Sequence, residues 1–235
     1  MHDTAMLNAE RFFNVYVRHI EGAVVVDIGA QDVTGSLKQF CPKSAKYIGV
    51  DFVPGRGVDV VLEDPYRLPF ETESIDVVVS SSCFEHSEFF WVLYLEILRI
   101  LKPSGIFYLN VPTNGRFHRY PVDCWRFYPD SGNALVKWAR ANDLNTAVLE
   151  SFTSNQIRLW NDYVCVFIKD ERHAGKHTRR ILDSFTDFTN GFVFNQQSKS
   201  TDLLNESEIP QDQRFLGWRI HKFVLRLLQK LFKYN

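Results

Sequence analysis

The sequence has little that would tie it to an oxidising compartment, a membrane or a polyanion. Its four cysteines, Cys41, Cys83, Cys124 and Cys165, are scattered, without a CxxC pair or a nearby histidine pair. They offer neither a disulfide framework nor a zinc site, read as reduced thiols, and imply no metal. No apolar run approaches the about 20 residues of a membrane span, and the opening MHDTAMLNAERFF lacks the basic and apolar regions of a signal peptide. The expected location is the cytoplasm. A formal net charge of −1 gives no global attraction to phosphate backbones, and no basic patch precedes residue 170, so nucleic acid is not an expected partner.

What is present is enough apolar residue for one substantial core, 45% of 235 residues, which fits one domain with an appendage. AMLNAERFFNVYVRHI spaces Leu7, Phe12, Phe13, Val15 and Tyr16 helically. The β-branched run AVVVDI (23–28) then reads as a buried strand. YIGVDF (47–52), VDVVL (58–62), IDVVVSS (75–81) and IFYLNVP (106–112) repeat that signature, the alternation of a parallel α/β sheet. A helix is expected over 88–102, where Phe90, Leu93, Tyr94, Ile97 and Leu101 form a stripe and KPSG at 102–105 stops it. Pro129 and Asp130 suit the first turn of a helix over 130–142. NTAVLESF and DYVCVFIKD read as a closing hairpin. Beyond 170 the composition turns polar and irregular, so 1–170 is expected to form the domain and 171–235 an extension.

VVVDIGAQDVTGS is a strand entering a glycine turn, the arrangement in which backbone N–H groups and a helix N-terminus face a ligand. Asp51 ends the next strand, where an acidic side chain can accept both hydroxyls of a ribose. The fingerprint GxGxxG is absent, because Gly29 is followed by Ala30, Gln31, Asp32, Val33 and Thr34, and this disfavours a dehydrogenase.

With these residues in place, the chain from about 20 to 170 resembles the class I S-adenosylmethionine-dependent methyltransferases, in particular the small-molecule, type 11-like group. VVVDIGA resembles the first motif, which implies that Asp27, Gly29 and Ala30 approach the methionine portion of S-adenosylmethionine. GVDF resembles the second, implying that Asp51 holds the ribose and Phe52 lies against the adenine. EDPYRLPF is similar to D-x-x-x-L-P-F, which implies an adenine contact for Asp64. IDVVVSSSCFEHS and EILRILKPSGIFYLNVP are similar to the fourth strand, the following helix and the fifth strand. The resemblance implies a Rossmann-like seven-stranded sheet with flanking helices, here followed by a C-terminal helical extension. Gln31 and Val33 stand where the family repeats glycine, and Ser104 where KPGG is usual.

The tetrapeptide [DN]PP[YF] of amino-directed methyltransferases is missing after the fourth strand, where the chain reads Ser80-Ser81-Ser82-Cys83. Ser81 and Ser82 are expected to bond the methionine amine or line the transfer site. FHRYPVDCWRFYPD (117–130) leaves the end of the fifth strand and reads as an acceptor-binding lid. His118 or Asp123 are candidate general bases, with His86 as the competitor. Arg116, Arg119 and Arg126 are candidates to fix an anionic or polyhydroxylated acceptor, and Tyr120, Trp125 and Tyr128 to form a wall. The alternative is that Trp125, Phe127 and Tyr128 pack the lid while Arg126 and Asp123 pair to hold its shape. The lid also resembles that of methyltransferases of surface-polysaccharide synthesis, which implies O-methylation of a sugar or glycan. A catalytically silent cofactor-binding module acting through a partner is the competing function.

RFLGWRIHKFVLRLLQKLFKYN at the end sets Arg219, Lys222, Arg226, Lys230 and Lys233 against an apolar stripe. Residues 214–235 are expected to form a basic amphipathic helix that docks on the domain or a second subunit, or lies on the inner face of a membrane.

Overall fold

The computed structural model describes residues 2–155, 157, 160–195, 202–207 and 224. Eight strands make a single sheet: β1 (Val24–Ile28), β2 (Lys46–Asp51), β3 (Val60–Val61), β4 (Ile75–Ser81), β5 (Leu101–Pro112), β6 (Ala147–Ser154), β7 (Asp162–Ile168) and β8 (Phe188–Val193), in the order β3-β2-β1-β4-β5-β7-β6-β8. The first five run parallel to one another, while β7 pairs antiparallel with β5 and β6, and β8 antiparallel with β6. The chain therefore reverses its winding direction between β1 and β4. In an open sheet the crevice beyond the carboxyl ends of two such strands is where ligands bind.

The helices are α1 (Asp3–Phe12), α2 (Phe90–Ile100) and α3 (Ser131–Arg140). Continuous β-branched strands need cover on both faces. Val26, Ile28, Val78, Phe107 and Leu109 pack under α2 and α3, whereas Val25, Val77, Val79, Ile106 and Tyr108 pack under Phe12, Phe13 and Tyr16. From Phe13 to Val17 the first helix continues as a π-helical turn that buries Phe13, Tyr16 and Val17. Leu7, expected on the apolar stripe, is exposed instead.

Three features differ from the sequence reading. No α-helix follows the glycine turn after β1. The chain runs irregularly to a 3-10 turn at Leu37–Phe40, so no α-helix starts at this turn. KPSG is not a loop between helix and strand but part of β5, which advances from Leu101 to Ile106 while β4 advances only from Ile75 to Val77. Lys102 reaches Asp76 across this bulge at 2.7 Å. The sheet has an eighth strand where seven were expected. β8 arises beyond residue 170 and pairs with β6, from Glu150↔Val193 to Ser154↔Phe188. Its approach is held by the buried Glu150 carboxylate, which accepts from Tyr16 Oη (2.6 Å) and from the Ile181 and Leu182 N–H groups (2.8 and 3.0 Å). The basic segment 214–235, apart from Val224, lies outside the described residues. Among the described residues no helix is long and apolar enough to cross a membrane.

Candidate functional site

The crevice is built from the ends of β1, β2 and β4. Gly29 sits just after β1 with φ +82°, and a Cβ there would lie 2.6 Å from Cys83 Cβ. The glycine is thus demanded by the loop after β4, and its N–H donates to the Val50 carbonyl at 2.9 Å. Strand β2 thus holds this N–H. Ala30 is tied to the same carbonyl at 3.1 Å. Asp27, 3% exposed, accepts from Tyr47 Oη at 2.6 Å, and burial pushes its carboxyl up to about 7.

Asp51 closes β2 with Oδ2 accepting from the Gln31 N–H (3.2 Å) and Oδ1 from the Val53 N–H (3.1 Å). Phe52 beside it is 46% exposed, which leaves a ring face open. Asp64 is exposed and caps its own turn through the Tyr66 N–H at 2.8 Å. Ser80 donates to the Ile28 carbonyl at 3.0 Å, joining β4 to β1. Ser81 Oγ and Ser82 Oγ are buried with no hydrogen-bond partner, and Ser82 holds the left-handed φ of 53°. Buried hydroxyls are nearly always satisfied, so this pair is available to a polar group brought into the crevice. The Cys83 thiol is pushed up by burial, which favours its protonated form.

Next to these serines lies a cavity of about 260 Å³ lined by His2, Thr34, Ser82, Glu85, Pro112, His118 and Trp160. Of these only Ser82 and His118 were singled out from sequence. His2 comes from the start of α1 and stacks on Trp160, with centroids 5.5 Å apart at 9°. Trp160 comes from the β6–β7 turn and lies so close to the lid that a Cβ on Gly115, at φ +116°, would stand 1.8 Å from its ring. Neither carries a local signal, because both reach the cavity from elements distant in sequence. Beneath them Asp162, fully buried, has Oδ2 bonded by Asn110 Nδ2 at 3.1 Å and is pushed up to about 7 by burial. His2 Nε2 stands 3.5 Å from its other oxygen, and burial draws that imidazole down to about 4.

The lid segment after β5 hangs on Glu85, whose backbone carbonyl accepts from Cys124 and Trp125 at 2.8 and 3.2 Å. His118 reaches the cavity. Its Nδ1 is 3.0 Å from the Arg116 carbonyl, so a proton there leaves Nε2 as the acceptor. Asp123 does not face the cavity. It receives Arg126 in two bonds, 2.5 and 2.9 Å, and the His118 N–H at 2.8 Å. The Arg126 hydrogen bond holds its carboxyl down at about 2, which is unsuited to a base. Arg126 also donates to the Trp125 and Arg116 carbonyls and lines no part of the cavity. Trp125 donates to the Ser87 carbonyl at 2.9 Å and packs edge-on against Phe90 and Trp91. These three residues shape the lid, as in the packing alternative. Arg116, Arg119 and Tyr128 are exposed, and Tyr120 Oη reaches Gln31 at 3.3 Å, tying the lid to the turn after β1. His86 bonds the Val122 carbonyl through Nδ1, and burial lowers its pKa.

A carboxylate at the end of β2, an open aromatic face beside it and two unpartnered hydroxyls at the β1–β4 junction fit an adenosine ligand with a polar amino-acid end. Residues 24–109 match the family model described as "Methyltransferase domain". Over 121 residues the chain is 27% identical to the phthiotriol/phenolphthiotriol dimycocerosates methyltransferase of Mycobacterium leprae, a match covering 50% of this chain and 38% of that protein. It thus spans well under half the length of that relative. The fold is similar to Burkholderia thailandensis 1,6-didemethyltoxoflavin-N1-methyltransferase, solved with 1,6-didemethyltoxoflavin and S-adenosylhomocysteine. There the TM-score is 0.55 at 18% identity, over 72% of this chain and 80% of that one. It is also similar to the putative methyltransferase solved with the Haloferax volcanii Trm112 activator (TM-score 0.53, 18% identity, 72% and 89% covered). Strand order and motif order agree with this match, and over residues 24–109 the chain is similar to the class I S-adenosylmethionine-dependent methyltransferases.

Proposed function

We propose that the chain binds S-adenosylmethionine and transfers its methyl group to a hydroxyl of a small molecule or glycan unit. The observation that carries this reading is the cavity at the carboxyl ends of β4 and β5, where His118 stands across from Ser82 and Glu85 under the lid. Asp51, Phe52 and Asp64 would hold the adenosine end, with Asp27, Gly29, Ala30, Ser81 and Ser82 around the methionine end. When bound, the sulfonium supplies an electrophilic methyl for in-line displacement.

The remaining work belongs to the protein. In this reading His118 Nε2 takes the hydroxyl proton, a role supported by Nδ1 facing a carbonyl oxygen. The lid, fixed at Glu85 and Gln31, excludes water and restrains the acceptor. His86, with Nδ1 tied to Val122 and Nε2 turned to Glu85 at 3.8 Å, supports His118 rather than the acceptor. A hydroxyl is favoured over an anionic group because no lysine or arginine lines the cavity among the described residues. Incubation with isotopically labelled cofactor and a panel of sugars, glycosides and phenols, read by mass spectrometry, tests this. Label on an oxygen supports the reading. Cofactor binding without transfer to any member supports a silent module.

A further inference from the structure

Glu85 is a buried carboxyl with one oxygen near His86 and the other unpartnered. Its residue is 2% exposed, Oε2 has no hydrogen bond, and the side chain lines the cavity. The groups around it come from every element packed against it. Its own loop supplies Cys83 and His86, the latter with Nε2 3.8 Å from Oε1. The lid supplies His118, Asp123 and Arg126, and β7 supplies Asp162. None of these is a cation directed at it. Arg126 is bound to Asp123, and burial disfavours the charged form of His86. Asp123 and Asp162 have the same sign as Glu85, and burial with these neighbours pushes its carboxyl up to about 8.

A buried carboxyl left in this state is costly unless a ligand completes it. The ligand class that does so is a cation, and the cofactor proposed above changes from a cation to a neutral thioether as it reacts. Resting on that reading, we propose that Glu85 is the counter-ion of the cofactor's sulfonium, so that the site prefers the methyl donor to its demethylated product. The consequence is product release. Once the methyl has left, the positive charge is gone, the carboxyl takes up a proton, and the thioether loses its partner.

The test needs no acceptor. The full chain and its Glu85→Gln variant are titrated calorimetrically with S-adenosylmethionine and with S-adenosylhomocysteine at about pH 6.5 and about pH 8.5, in buffers of different ionisation enthalpy. Both ligands carry the same amino and carboxyl groups, so contributions from Asp27 and Asp51 largely cancel in the ratio of their affinities. In the wild type that ratio should favour the donor and rise about tenfold over this range, as expected for one ionising partner. Donor binding at the lower pH should also release more protons than product binding. Glu85→Gln should flatten the ratio, while Glu85→Asp should retain part of it. Equal ratios in wild type and Glu85→Gln, with both ligands bound, overturn the inference and leave the proposed function standing. If the Gln variant does not fold, the wild-type proton count decides, and no excess release with the donor overturns it. Binding of neither ligand to the wild type removes the proposed function and this inference together.

Discussion

The imidazoles of His86 and His118 meet edge to face, with centroids 5.0 Å apart at 87°. This contact joins the loop after β4 to the lid, and it places the two candidate bases in one unit. Trp160 closes the other side of His118 at 5.4 Å and 69°. The ring that faces the cavity is therefore held between two others, with its Nδ1 fixed by a carbonyl.

His118→Ala is expected to lower turnover by roughly 10²- to 10⁴-fold while leaving cofactor affinity near wild type. His86→Ala should cost less and act through His118, so the double variant should fall well short of the product of the two single effects. Single-turnover rates for the three proteins check this. Full activity in His118→Ala would move the base to the β4 side.

Asp123→Asn tests the lid as a structural element. Breaking the two-bond pair with Arg126 and the His118 N–H contact should destabilise by about 1–3 kcal/mol and raise the acceptor KM. The folded carboxyl, at about 2, lies below the unfolded value of about 3.9. Its stabilisation is thus present above about pH 4 and is lost as pH falls through about 2. Acid unfolding of wild type and variant, followed by circular dichroism, should converge at the acid end.

Burial pushes the carboxyls of Asp27 and Asp162 up to about 7 and that of Glu85 up to about 8. Between their unfolded and folded values the native state binds more protons than the unfolded chain, so stability falls as pH rises through this window. Above about pH 7 unfolded histidines are mostly neutral and do not offset the loss. The ligand-free protein should therefore melt at a lower temperature at about pH 8.5 than at about pH 7. Asp162→Asn should reduce the difference; an unchanged slope in that variant would argue against a buried acid at this position.

Gly29→Ala adds a Cβ 2.6 Å from Cys83 Cβ at a residue with φ +82°. The left-handed backbone alone costs about 1–2 kcal/mol, and the overlap adds to it. Cys83→Ala in the same chain should leave the clash with Cβ and recover little, whereas Cys83→Gly should recover the steric part. Thermal melts of the four proteins separate the two contributions.

Division of the chain at residue 170 is best treated through β8. A chain ending at 170 loses Ile181 and Phe188 from the core around Phe152, together with the Ile181 and Leu182 N–H donors to Glu150. It should be markedly less stable, and more prone to associate through the uncovered edge of β6, than a chain ending at 195. Denaturant unfolding and light scattering compare them. Equal stability would support a self-sufficient unit ending at 170.

Several parts of this protein were written in local sequence. Continuous β-branched runs gave the buried strands, the three- and four-residue spacing of Leu93, Tyr94 and Ile97 gave α2, and the acid ending β2 gave Asp51. Each depends on neighbours within one element, and periodicity reports such neighbours directly. Tertiary structure decided what depends on partners far away in the chain. Gly29 is required because Cys83 packs where its Cβ would be. Asp123 and Arg126 bind one another, and His2, Glu85 and Trp160 become cavity walls only when α1, β4 and the β6–β7 turn converge. The lid composition suited either recognition or packing, since aromatic, arginine and aspartate side chains do both. Which they do is fixed by the carbonyls, rings and carboxylates that the fold brings within reach, and that information is not carried by any one segment.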